Sequence, residues 1–318
     1  MNTLSPDEFI SQLYRKAPLI PLNEFANWAL DLLRYTINFD GAIWGTGHIS
    51  TRTFHTQTAL DIPPDIFSKL INYSDINPIV EVLEENRGSA IRMRDVFEDE
   101  QFFNSTLYHK CFRPFGIERI LSSIHLDERS GIFTVLSLYR FDRDHKFTSE
   151  EKEIQNRLLY HLLNCASHRQ LIEIKGLSNG QERQDISALC DAQGIYHAVT
   201  LQFLDLLESH SANLTAQQFP IDFIDKGESF IEGKLKFDVK KYGELYKITA
   251  HVKNKFDELT ARERQVIEGI CQGRTFKHIA RELSLSPSTV SNHLYRIYLK
   301  LGIHTRSELV DLNKEYVQ

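Results

Sequence analysis

The sequence predicts an α+β multidomain chain in which two antiparallel-sheet domains precede an all-α, four-helix domain containing a helix-turn-helix. Three observations lead there. A length of 318 residues exceeds one ordinary domain and suggests two or three. Stretches rich in β-forming residues come as turn-separated pairs at 41–60, 117–141 and 230–252, the mark of hairpins. From residue 259 onward the apolar period turns helical, and short capped segments follow one another.

Composition narrows the class. A hydrophobic share of 42% beside 25% charged residues describes a globular chain able to bury cores. No stretch approaches the ~18 apolar residues of a membrane span, and the start, with Asp7, Glu8, Arg15 and Lys16, holds no continuous apolar block. Neither a membrane anchor nor a signal peptide is expected. Cys111, Cys165, Cys190 and Cys271 are scattered without a C-x-x-C pair, so reduced thiols in a cytoplasmic protein are expected.

The first domain is placed at residues 1–175. Ser5, Pro6 and Glu8 carry the signals of a helix start, and Phe25, Trp28, Ala29, Leu32 and Leu33 give a second helix an apolar face. Residues 41–49 and 53–60 then pair around Ser50 and Thr51, and 117–126 with 132–141 around 127–131. Between these hairpins lie segments rich in aromatic residues. Trp44, Phe67, Tyr73, Phe102, Tyr108 and Phe115 are the candidate lining of a small-molecule cavity, with His48, Arg92 and Arg94 as polar handles. The same side chains read as plain core, because aromatics dominate ordinary cores; both readings stand. Thr148 and Glu151 cap a long helix running to about residue 175, whose broad apolar side (Ile154, Leu158, Leu162, Cys165) either closes the sheet or pairs two chains. The order of elements, with Leu138-Tyr139-Arg140 before Phe147-Thr148, resembles a GAF domain, which implies a sensor.

GLSNGQE at 176–182 reads as a linker. A second, short domain is placed at 184–252: a strand, the Gln193-Gly194 turn, a second strand, a helix with Phe203, Leu206 and Leu207, then strands at 230–239 and 244–252 about a turn at 240–243. This order resembles a shortened PAS domain. The resemblance implies a structural or dimer-coupling role rather than haem or flavin binding, so no cofactor is expected, and His197 and His210 are expected in solvent or core.

Catalysis finds little support. The chain lacks G-x-x-x-x-G-K-[ST], G-x-S-x-G, H-E-x-x-H and any His/Cys cluster at metal spacing. Neither an enzyme nor a metal protein is expected.

The final domain is placed at 255–318. Thr260 and Glu263 have capping-box spacing before Val266, Ile267, Ile270 and Cys271, and Gly273 ends that helix. Phe276, Ile279, Ala280 and Leu283 face a second helix, and only Ser284, Leu285 and Ser286 separate it from a third. Ser286 suits an N-cap and Pro287 the first helical position, while Val290, Leu294, Ile297 and Leu301 form one apolar stripe. The opposite side offers Ser291, Asn292, Tyr295 and Arg296, groups that fit base edges and phosphates. From Arg274 to Arg306 there are six basic residues and one acid, although the whole chain carries a net charge of −6. Basic charge is therefore concentrated where a nucleic acid would lie. Thr305 and Glu308 start a fourth helix.

Residues 259–310 resemble the DNA-binding domain of LuxR-type regulators through Leu259-Thr260, Arg262-Glu263-Arg264, Gly273, Ile279-Ala280, Leu283, Ser286, Thr289-Val290, His293, Ile297, Lys300-Leu301-Gly302 and Arg306. The resemblance implies that the third helix enters the major groove of double-stranded DNA and that the fourth pairs with its twin in a homodimer. Ser291, Asn292 and Tyr295 would then face bases, Thr289, Lys300 and Arg281 the backbone, and Ser288 and Arg296 complete the DNA-facing set. Many members have lysine where this chain has Ser291. Asn77-Pro78 and Asp95 stand near the positions of the lactone-sensing members' Asp-Pro pair and later acid, but the Asp is replaced by Asn77 and a tryptophan by Arg92, which argues against a lactone ligand. The chain therefore reads as a DNA-binding transcription regulator under sensor control. Alternatives are a ligand-independent regulator acting through protein contacts, then a lactone receptor or an N-terminal enzyme.

Overall fold

The computed structural model describes residues 4–176, 186–210 and 217–317. Beyond Gly176, the expected linker lies outside them. The chain divides into two units, one gathering 1–181, 186–227 and 239–249, the other 182–185, 228–238 and 250–318.

α1 (Pro6–Lys16) begins where the Ser5 hydroxyl accepts the Glu8 N–H and the Glu8 carboxylate accepts the Ser5 N–H, a reciprocal cap. α2 (Leu22–Leu33), β1 (Gly41–His48) and β2 (Thr53–Leu60) follow. The connection to the next hairpin carries α3 (Ile66–Asn72), α4 (Pro78–Glu85), β3 (Ala90–Arg92), α5 (Met93–Val96), α6 (Asp99–Asn104) and a π-helical turn at Tyr108–Phe112. β4 (Arg119–Leu126), β5 (Ile132–Arg140) and α7 (Ser149–Gly176) complete this part. Its five strands form an antiparallel sheet in the order β2-β1-β5-β4-β3.

Side chains alternate along a strand, so the sheet has two cores. Trp44 and Leu138 face Phe9, Leu13, Phe25, Leu33, Leu158 and Leu162 of α1, α2 and α7. Ile43 and Tyr139 face Phe67, Leu83, Phe102 and Phe112 of the connection. The apolar side of α7 is thus spent on the sheet. Gly45 admits a cross-strand contact there, because a Cβ would stand 2.6 Å from Phe54, whose ring meets Phe67 edge-on at 5.0 Å. Arg140 is buried and donates to the carbonyls of Asn38 and Lys146 and to Glu151, pinning the start of α7 to the sheet.

β6 (Ser187–Cys190), β7 (Tyr196–Val199), α8 (Leu201–His210), β8 (Ser229–Glu232), β9 (Leu235–Tyr242) and β10 (Leu245–Val252) come next, with the strands in the antiparallel order β7-β6-β10-β9-β8. The single strand expected across 230–239 is instead two. Gly233, at φ 59°, and Lys234 make a two-residue turn closed by Glu232 opposite Leu235.

The last part is helical: α9 (Ala261–Cys271), α10 (Phe276–Glu282), α11 (Pro287–Leu301) and α12 (Arg306–Val317). Val266, Ile270, Ile279, Ala280, Val290, Leu294, Ile297, Leu301 and Leu309 form its core. α9 and α10 approach closely at Gly269, where a Cβ would lie 2.7 Å from Ile279. The helix-turn-helix is therefore packed on its own apolar centre.

Candidate nucleic-acid interface

α11 starts where the Ser286 hydroxyl accepts the Thr289 N–H at 3.1 Å, and Pro287 occupies the first turn, where no N–H is needed. It ends at Gly302, whose left-handed φ of 69° suits glycine. The turn before it carries Ser284 at φ 54° and is held by Arg262 of α9, whose guanidinium donates to the Leu283 carbonyl. Both ends and the entry turn are thus fixed before any partner arrives.

With Val290, Leu294, Ile297 and Leu301 buried, the helix rotation places Ser288, Ser291, Asn292, Tyr295 and Arg296 in solvent, Tyr295 at 65% exposure. Thr289 is half-buried, its hydroxyl 2.8 Å from that of Ser286. Arg281 is exposed on α10. Lys300 is engaged within the domain. Its ammonium lies 2.7 Å from the Glu263 carboxylate and 3.2 Å from the Glu258 carbonyl, tying the end of α11 to the start of α9.

Burial opposes a charge on Glu263, but the Lys300 ammonium and the Thr260 N–H and hydroxyl outweigh it and hold the carboxyl below its usual range. Lys255 donates to the Leu301 carbonyl at 2.9 Å, a second tie to the same helix end. Of the other basic residues in this stretch, Arg274 pairs with Glu282, and Arg306 donates to the carbonyls of Ile270 and Arg274. Lys277, Arg281 and Arg296 are left exposed and outside the described hydrogen bonds and ion pairs. Two of the six basic charges are thus matched by carboxylates inside the domain, Arg274 by Glu282 and Lys300 by Glu263. Capping spacing marks Thr260 and Glu263; nothing local marks Lys255, or Glu263 as the partner of Lys300.

The ligand candidates do not all converge. Phe67, Phe102 and Tyr108 are buried, and Tyr73 and Phe115 partly so, on one face of the first sheet. Trp44 is on the other, edge-on to Phe25 at 6.1 Å, because neighbouring positions of β1 point to opposite faces. Arg92 is taken by Asp95, and the Tyr108 hydroxyl donates to Glu118 at 2.6 Å. Asn77 caps α4 by accepting the Ile79 N–H. The cavity beside Phe102, bordered by Met93, Arg119 and Phe147, holds about 10 Å³, room for one water. Among the described residues no three His, Cys, Asp or Glu side chains stand together as a metal would need, and no helix is long and apolar enough to cross a membrane.

Residues 257–313 match the family model described as bacterial regulatory proteins, luxR family. The spore germination protein GerE of Bacillus subtilis is 48% identical over 52 residues, 16% of this chain and 70% of that protein. The transcriptional regulatory protein UhpA of Escherichia coli is 51% identical over 53 residues, 17% of this chain and 27% of that protein. The chain spans only 6% of the length of the mycobacterial HTH-type regulators that are 45% identical to it over 53 residues. A crystal structure of Escherichia coli SdiA aligns over 95% of this chain and 94% of its own at 12% identity, with a TM-score of 0.39.

Proposed function

Because the chain belongs to the luxR family of bacterial regulatory proteins, we propose that it is a cytoplasmic transcription regulator in which α11 reads double-stranded DNA in the major groove. The observation that carries this reading is the polar row on α11, exposed while its apolar stripe is buried and both helix ends are tied down. A rigid helix offering hydroxyls, an amide and a guanidinium matches base edges and phosphates. In this proposal Ser291, Asn292 and Tyr295 face bases, while Ser288, Thr289, Arg281 and Arg296 address the backbone. Lys300 holds the helix from behind. Two chains bind together through α12 on a pseudo-palindromic site, half-sites one helical turn apart.

The proposal further assigns residues 1–175 to a GAF-like sensor, 184–252 to a short PAS-like coupling domain and 255–318 to the DNA-binding domain. The test selects duplexes from random-sequence DNA with the full chain. Enrichment of a two-fold symmetric site, with binding that weakens steeply as salt rises, is the expected result. Absence of enrichment together with no binding to any duplex at low salt would overturn the reading.

A further inference from the structure

The first sheet and the β6–β7–α8 segment, which belong to one unit, meet at three histidines from three strands. His55 of β2 and His197 of β7 stack face to face, ring centroids 3.8 Å apart and 13° from parallel. His48, at the end of β1, lies behind His55 with centroids 6.4 Å apart and 12° from parallel. His48 is fully buried and its hydrogen bonds set its tautomer: Nδ1 accepts the Ser50 N–H at 3.2 Å, so Nε2 carries the proton and donates to the carbonyls of Ser130 at 2.9 Å and Gln217 at 2.6 Å. Around it, Arg129 of the β4–β5 turn pairs with Asp205 and Glu208 of α8, and the Gln217 amide donates to the Glu128 carbonyl. The turn is gripped from two sides.

We propose that this junction is an acid-released clasp, closed while His55 and His197 are neutral and opened when they take up protons. Stacked neutral imidazoles at this distance attract; two imidazolium rings there would repel with little water between them. The charged groups facing the stack do not cancel that repulsion. Asp191, after β6, favours a protonated ring, but its carboxylate already accepts the N–H groups of Gln193 and Ile195, each at 2.9 Å. Glu128 pairs with Arg87, and Asp205 and Glu208 are matched by Arg129. Burial first, then His197 and His48, pushes His55 from 6.5 down to about 4, with Asp191 opposing. Burial also lowers His197. The sign follows: a histidine whose folded value is depressed leaves the closed form fully stable above 6.5 and weakens it as the pH falls from there toward about 4, because the open form binds protons that the closed form refuses. Such an input needs no ligand cavity. β10, in the same sheet as β6 and β7, continues in sequence directly into the helical part.

The test is hydrogen exchange on the full chain between about pH 7.5 and about pH 5, corrected for intrinsic rates. Protection at residues 127–132 and 196–210 is expected to fall about tenfold or more, while that of 6–33 and 287–301 holds. In the double variant His55→Phe, His197→Phe, which keeps the ring stack without the charge, protection at the junction should not change with pH. Ring NMR titration of the unmodified chain, which needs no variant, should place His55 well below 6.5. Unchanged junction protection down to pH 5, an equal loss in the double variant, or titration of His55 near 6.5 would each overturn the proposal.

Discussion

Replacing Lys300 with methionine asks whether the far end of the reading helix is held from within or by DNA. The substitution keeps the apolar stem and removes the ammonium 2.7 Å from Glu263. The Glu263 side chain is 5% exposed and that of Lys300 33%, so the carboxylate loses a partner that water only partly replaces, while the Thr260 N–H remains at 2.8 Å. A hydrogen bond between charged groups contributes about 1.5–3 kcal/mol. Screening at the one-third exposed lysine brings the expected loss to about 1–2 kcal/mol. In a domain of this size that lowers Tm by roughly 5–15 °C. The depressed carboxyl of Glu263 contributes its stability above its ordinary 4.5 and loses it as the pH falls through the folded value, so the gap between Lys300→Met and the unmodified chain should close in acid. Thermal unfolding against pH measures this, and duplex binding against salt measures the rest. Specific and random duplexes should weaken alike, with the salt slope unchanged. A slope reduced by about 0.9 with no loss of Tm would refute the reasoning and make Lys300 a phosphate contact.

Other outcomes can be stated more briefly. Asn292→Ala should cost about 1–3 kcal/mol on the selected site and relax its sequence preference, leaving random duplexes nearly untouched; titration of both duplexes checks it. Arg296→Ala should weaken all duplexes and reduce the salt slope by about 0.9, as removal of one phosphate contact does. Thr260→Ala removes an N-cap and should destabilise the helical part by about 1 kcal/mol, read by thermal unfolding. Phe67→Ala should cost about 3–5 kcal/mol in the first sheet domain and open a dry cavity that takes up a small aromatic probe; tight binding of that probe by the unmodified chain would contradict the filled core described above.

Much of the helical part can be read in the sequence because its determinants are local. Ser286 caps its helix by accepting the N–H three residues on, and Thr260 and Glu263 cap each other. The first sheet's hairpins are legible for the same reason, their turns lying between alternating strands. Gly233 and Lys234 carry no such mark, since both flanks of that turn continue the same β pattern without an Asn-Gly or Asp-Gly pair. Trp44 shows a different limit. Its size and neighbours suited a ligand cavity, but the register of β1 against β5 turns it toward Phe25 and away from Phe67 and Phe102.

The sequence by itself determined the caps, the periods, the helix-turn-helix and the face of α11 that stays polar, because each depends on residues within a turn or two of one another. Only the tertiary structure decided which charges remain for a partner. Lys300 meets Glu263 across 37 residues, Arg306 meets the Ile270 carbonyl across 36, and His55 meets His197 from a distant strand. Spacing along a chain carries no record of such pairs; they arise when packed apolar faces bring distant polar groups out of water, where each must find a partner.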